Sequence, residues 1–113
     1  MMLSINENNF SKLVLECPYP VLVHFWAPWC GLCRLIQPNL LAFQAQWEGQ
    51  IHLVGVNADE NFRLANKYQL RNLPTLILFD GGKPIQRIEG MTSRDELQKI
   101  LNTIAIHSLV RSA

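Results

Sequence analysis

Two cysteines separated by two residues, Cys30 and Cys33, are the side chains whose type and spacing suit chemistry. They lie in the run Trp26-Ala27-Pro28-Trp29-Cys30-Gly31-Leu32-Cys33-Arg34, where a β-branched, apolar stretch gives way to helical periodicity. A cysteine at a helix amino terminus sits among unpaired backbone N–H groups and the positive end of the helix dipole, and both favour a thiolate. Cys30 is therefore expected to be exposed and thiolate-prone, the nucleophile of the pair. Cys33 falls one turn further in, on the same side of the helix and shielded by it, which suits a resolving thiol. The rival chemistry is half of a structural zinc site, which needs four ligands and usually a second such pair. Cys17, His24, Cys30 and Cys33 total four, but His24 lies inside a strand pattern and Cys17 beyond two prolines, so no metal site is expected. An iron–sulfur cluster shared between two chains is less favoured still. Cys17, with no neighbour in sequence to activate it, reads as a half-buried structural thiol.

The elements that must position this pair are legible from periodicity. Residues 20–26 are apolar on both faces apart from His24, the pattern of a central strand covered on each side. Residues 31–47 repeat Leu32, Leu35, Ile36, Leu40 and Phe43 at three and four residues with Pro38 inside, so they read as a long helix kinked near its middle and ended by Gly49. Residues 51–57 and 75–79 read as further strands, the latter introduced by Pro74, with a short helix over 60–68 between them. Asp80, Gly81 and Gly82 turn the chain into an antiparallel partner over 84–89. Ser93 and Glu96 have capping-box spacing, and Leu97, Ile100, Leu101 and Ile104 give a last helix its buried stripe. Before the first main strand, residues 3–5 suit a short edge strand, and Phe10, Leu13 and Val14 follow Asn6 at helical spacing. Early crossovers and a late hairpin demand an α/β fold, a central mixed sheet of four to five strands with helices on both faces.

Composition bounds the rest. At 113 residues, 49% hydrophobic and 17% charged, the chain suits one self-folding domain, expected over 1–106 with a frayed tail over 107–113. A net charge of +1 offers no footprint for nucleic acid or an anionic membrane. Residues 1–58 hold five of the nineteen charges, so the first half supplies most of the interior. Three cysteines are too few, and of the wrong parity, for a secreted disulfide framework, which favours a reducing, cytoplasmic setting. The amino end lacks the basic and apolar runs of a signal peptide, and the uncharged stretch 17–33 is broken by Pro18, Pro20, Pro28 and Gly31, so no membrane segment is expected.

Taken together, the Trp29-Cys30-Gly31-x-Cys33 motif, Phe25-Trp26-Ala27 before it, Pro38, Asp59, Leu73-Pro74-Thr75 and Gly90 resemble the thioredoxin family over nearly the whole chain. The resemblance implies a thioredoxin fold, thiol–disulfide exchange without a bound cofactor, and a monomer. Its partners would be disulfide-containing client proteins and a thioredoxin reductase that resets the pair. It further implies a cis bond before Pro74, with the backbone of Leu73 free to pair with an extended client. Trp29, Gly31, Leu32, Leu73, Gly90 and Met91 would form a flat apolar docking face around Cys30. Three positions depart from the family. Leu32 stands where Pro is usual, His24 where a buried Asp is usual and Gly55 where a Lys is usual. The family's Asp takes the proton of the resolving thiol, and a neutral imidazole at position 24 can accept a proton in its place. The alternative from another class is a redox-responsive binding or assembly module that keeps the fold and turns over little.

Overall fold

Short runs of β-branched and aromatic residues, each bounded by Pro, Gly or Asn, become five strands: β1 Leu3–Ile5, β2 Val21–Trp26, β3 His52–Asn57, β4 Thr75–Asp80 and β5 Lys83–Ile88. Three helices accompany them, α1 Gly31–Gln46, α2 Phe62–Lys67 and α3 Arg94–Ser112. The structure is a computed structural model that describes residues 2–112, with side chains through residue 106. The sheet order is β1-β3-β2-β4-β5. β3 runs parallel to both β1 and β2, whereas β2 with β4 and β4 with β5 are antiparallel. This is the mixed sheet expected, with five strands and β2 at its centre.

Strand alternation sorts the core into two layers. Val21, Val23 and Phe25 of β2 pack with Phe10, Val14, Leu64 and Phe79 on one face, where the Phe10, Tyr68 and Phe79 rings meet edge-on or tilted at 5.5–5.8 Å. Leu22 faces the other way, onto Ile36, Leu40 and Phe43 of α1 and Leu97, Leu101 and Ile104 of α3. His24 follows Leu22 at a spacing of two and so belongs to the α1 face. Leu35, expected in the α1 stripe, is instead exposed. Cys33, Ile36, Leu40 and Phe43 already occupy the inward face at spacings of three and four, and Leu35 sits one residue off that line.

Local chemistry sets the remaining boundaries. Asn6 accepts hydrogen bonds from the N–H groups of Asn8 and Asn9, at 2.8 and 3.2 Å, but the segment that follows, Ser11–Leu15, closes as one wide turn in which the Glu16 N–H reaches the Ser11 carbonyl five residues back. The expected helix over 60–68 divides into a 3₁₀ turn, Ala58–Glu60, and α2. Gly81 and Gly82 take positive φ in the β4–β5 turn. A Cβ on Gly82 would stand 2.6 Å from the Leu15 carbonyl oxygen, so this turn lies directly against the wide turn from the far end of the sequence. The backbone of α3 continues to Ser112, past His107 where the sequence suggests a frayed tail, because no Gly or Pro interrupts the chain after Gly90. Among the described residues, no helix is long and apolar enough to cross a membrane.

Candidate functional site

The register of β2 and β4 pairs Phe25 with Thr75, which sets Pro74 beside the end of β2 from which the cysteine loop departs. The Leu73–Pro74 bond is cis. The loop Ala27 to Cys30 is closed by a hydrogen bond from the Cys30 N–H to the Ala27 carbonyl at 3.1 Å, and the Arg34 guanidinium donates to the Pro28 carbonyl. Cys30 has an extended backbone and is itself the N-cap of α1: its Sγ accepts the Cys33 N–H at 3.2 Å. A sulfur held there faces the same unpaired amides that would stabilise a thiolate.

Cys30 and Cys33 form a disulfide, with their Cα atoms 5.3 Å apart. The expected asymmetry of exposure is absent in this oxidised form, since Cys30 is 5% exposed and Cys33 2%. Each sulfur covers the other, and Ala27 with the flanks of Trp26, Leu32 and Leu73 closes around both. The difference between the two residues therefore lies in position on the helix, with Cys30 at the cap and Cys33 inside the first turn.

Around the pair, Trp29 is the prominent feature, an indole 67% exposed whose Nε1 donates to Asp59 Oδ2 at 2.9 Å. Asp59 is held in turn by the Asn57 side chain, which accepts its N–H at 2.9 Å. Gly31 and Gly90 are exposed, Leu32 and Leu73 half-buried, and Pro74 buried. Met91 is buried to the same degree as Cys30, its side chain packed in the layer formed by Leu76, Ile88 and Leu97. The partnership of Asp59 with Trp29 spans thirty residues, so no local pattern in the sequence reveals it.

His24 lies in β2 opposite Gly55 of β3 and is buried. Its Nε2 has no hydrogen-bond partner, and loss of hydration lowers its pKa from 6.5 to about 4, so the imidazole is neutral near pH 7. It lines a cavity of about 410 Å³ together with Cys33, Trp26, Gly55, Met2 and Arg34. At position 55 a Cβ would already approach Met2 Sδ at 3.2 Å and Trp26 Nε1 at 3.3 Å, so two wall residues stand where a side chain of that strand would project. Cys17 is separate from all of this. It lies 3.8 Å from Nδ1 of His52, on which Tyr19 stacks, a neighbour that its surroundings in sequence do not disclose. Among the described residues, no three His, Cys, Asp or Glu side chains gather as a metal site would require.

The family model described as Thioredoxin matches residues 1–103. Among curated relatives, the chain is 40% identical to Thioredoxin 1 of Nostoc sp. over 97 residues, 86% of this chain and 91% of that protein. It is 38% identical to Thioredoxin of Synechocystis sp. over the same shares of the two chains, and 37% identical to Thioredoxin M-type, chloroplastic, of Chlamydomonas reinhardtii over 88% of this chain and 74% of that one. The binding-module alternative is not favoured by these relatives.

Proposed function

The chain belongs to the thioredoxin family and is a thiol–disulfide oxidoreductase, and we propose that it acts as a reductant of disulfides in client proteins. The observation that carries this reading is the Cys30–Cys33 disulfide placed so that the Cys33 N–H of α1 donates to the Cys30 sulfur. In the reduced protein that amide stabilises a Cys30 thiolate, which attacks one sulfur of a client disulfide and expels the other as a thiolate. Cys33 then loses its proton and attacks Cys30, releasing the second client sulfur and closing the ring. Two electrons pass to the client, and a thioredoxin reductase returns them to the pair.

His24 is the proton acceptor in this scheme. It shares the wall of one cavity with Cys33, and burial holds its pKa at about 4, so it takes the proton only in passing as the Cys33 thiol is lost. The exposed Trp29, with Gly31, Leu32 and Gly90, receives the client, and the backbone of Leu73 beside cis-Pro74 pairs with an extended client segment as a short added strand. A cytoplasmic setting fits the low cysteine count, while the Chlamydomonas relative is a chloroplastic protein by its own description.

Insulin reduction driven by dithiothreitol tests the activity, and a coupled assay with a thioredoxin reductase and NADPH tests the reset. Cys33→Ser is expected to accumulate a mixed disulfide with the client through Cys30, and Cys30→Ser none. Equal trapping of a protein disulfide by both variants would contradict the division of labour.

A further inference from the structure

The cavity shared by His24 and Cys33 has no lining residue in common with the client-docking surface. Trp29, Gly31, Leu32, Leu73 and Gly90 are absent from its walls, and so is Cys30. One cysteine of the pair thus contributes to the wall of a pocket that the other does not reach. We propose that this cavity is a second entrance to the disulfide, one that admits a low-molecular-weight thiol bearing an anionic group and directs it to Cys33 rather than Cys30. The inference rests on the Cys30–Cys33 exchange reading above and adds to it a small-molecule reductant.

Three features of the cavity select that ligand. Its volume of about 410 Å³ is in the range of small-molecule sites and far too small for a folded client. Arg34 is the only formally charged side chain in its lining, and the Pro28 carbonyl already holds that guanidinium, so an anionic end of the ligand finds a fixed cation. His24 lines the same wall and, neutral near pH 7, adds no second charge to it. Apolar Met2, Trp26 and Ala27 complete the wall against which a short carbon chain can lie.

The exchange step needs the attacking sulfur in line with the bond it breaks. A thiol in this cavity gives its proton to solvent and attacks Cys33 Sγ as a thiolate; the Cys30–Cys33 bond breaks, and its electron pair leaves on Cys30. That leaving group is the sulfur already receiving the Cys33 N–H at 3.2 Å, and a stabilised thiolate leaves faster. A second thiol lifts the adduct from Cys33 as the small disulfide, and its proton passes to the released Cys33 sulfur. Two thiols become one disulfide while the protein gains two electrons.

Microscopic reversibility supplies the test, since a route that admits a thiol to oxidised Cys33 also admits a small disulfide to reduced Cys33. In Cys30→Ser, adduct formation at Cys33 would be timed by mass spectrometry with 3,3′-dithiodipropionate, cystamine and insulin as oxidants. The anionic disulfide is expected to react about tenfold faster than the cationic one, the preference one favourable ion pair supplies, and insulin not at all. Adding Gly55→Val, which crowds Met2 and Trp26 in the cavity wall, is expected to slow the anionic reagent about tenfold. Should that strand substitution disturb folding, Arg34→Gln on the exposed helix surface is expected to erase the anionic preference. Equal rates with both small disulfides, or an unchanged preference in Arg34→Gln, would overturn the second entrance. Wild-type protein in the insulin assay separates the two readings: if it reduces insulin while Cys33 shows none of this selectivity, only the second entrance fails, and if it does not, the exchange reading falls and the entrance with it.

Discussion

His24 shows how a single residue can link the site to stability. Burial lowers its pKa from 6.5 to about 4, so between those values the unfolded chain binds a proton that the native protein refuses. Above pH 6.5 neither state is protonated and the linkage costs nothing; as pH falls from 6.5 toward 4 stability drains away, by about 3 kcal/mol once both states are protonated. His24→Leu is expected to shed that part of the acid sensitivity, read as a smaller difference between urea midpoints at about pH 7 and about pH 4.5. An equal difference in both proteins would show that His24 is already charged in the fold. Trp29 offers a second test at this scale. Its indole projects into solvent yet is tethered by Asp59, so Asp59→Ala is expected to raise the KM for a protein client roughly threefold, the effect of losing about half a kcal/mol of preorganisation. Asp59→Asn keeps an acceptor and is expected to recover most of the loss. A fall in Tm with no change in KM would make the tether structural only.

At the scale of elements, the start of α3 has divided its capping between two residues. Ser93 Oγ accepts the Glu96 N–H at 3.2 Å, but the Glu96 carboxylate turns to Thr92, taking its N–H at 3.1 Å and its hydroxyl at 2.7 Å. Those two bonds hold Glu96 below the usual carboxylate range. Ser93→Ala is expected to cost about 1 kcal/mol in urea unfolding, with Thr92 and Glu96 retaining part of the cap. A loss below experimental error would mean that the Thr92 bonds suffice alone. Elements of this kind, and the cysteine motif, were readable because they are written in short spacings: three residues for the cap and for the cysteine pair, two for the strand faces. Leu35 falls outside the buried stripe because apolar character does not say which apolar surface has room. The His24 cavity was unreadable for a related reason. Its walls come from β1, β2, β3 and α1, and only the pairing of His24 with Gly55 shows that two substitutions apart in sequence leave one shared space.

For the molecule as a whole, the sheet order places the site on its most protected strand. β2 has a hydrogen-bonded neighbour on each side and covered side chains on each face, so the loop that leaves it carries the disulfide from a base that opens only when the protein does. Native-state hydrogen exchange is expected to report the full unfolding free energy at Leu22 to Phe25, and a lower one at Leu3 to Ile5 of the edge strand. Comparable protection in both strands would mean that the sheet opens as one unit. The β4–β5 turn carries a different lesson, for anyone who would modify the protein. Its two glycines invite use as an insertion point for a peptide tag, being short, glycine-rich and far along the chain from the cysteines. Gly81 faces open space, but Gly82 lies so near the Leu15 carbonyl that even a methyl group has nowhere to go. A tag spliced after Gly82 would therefore lever apart two segments that the sequence keeps distant, and the damage would surface around Phe10 and Val14 rather than where the splice was made.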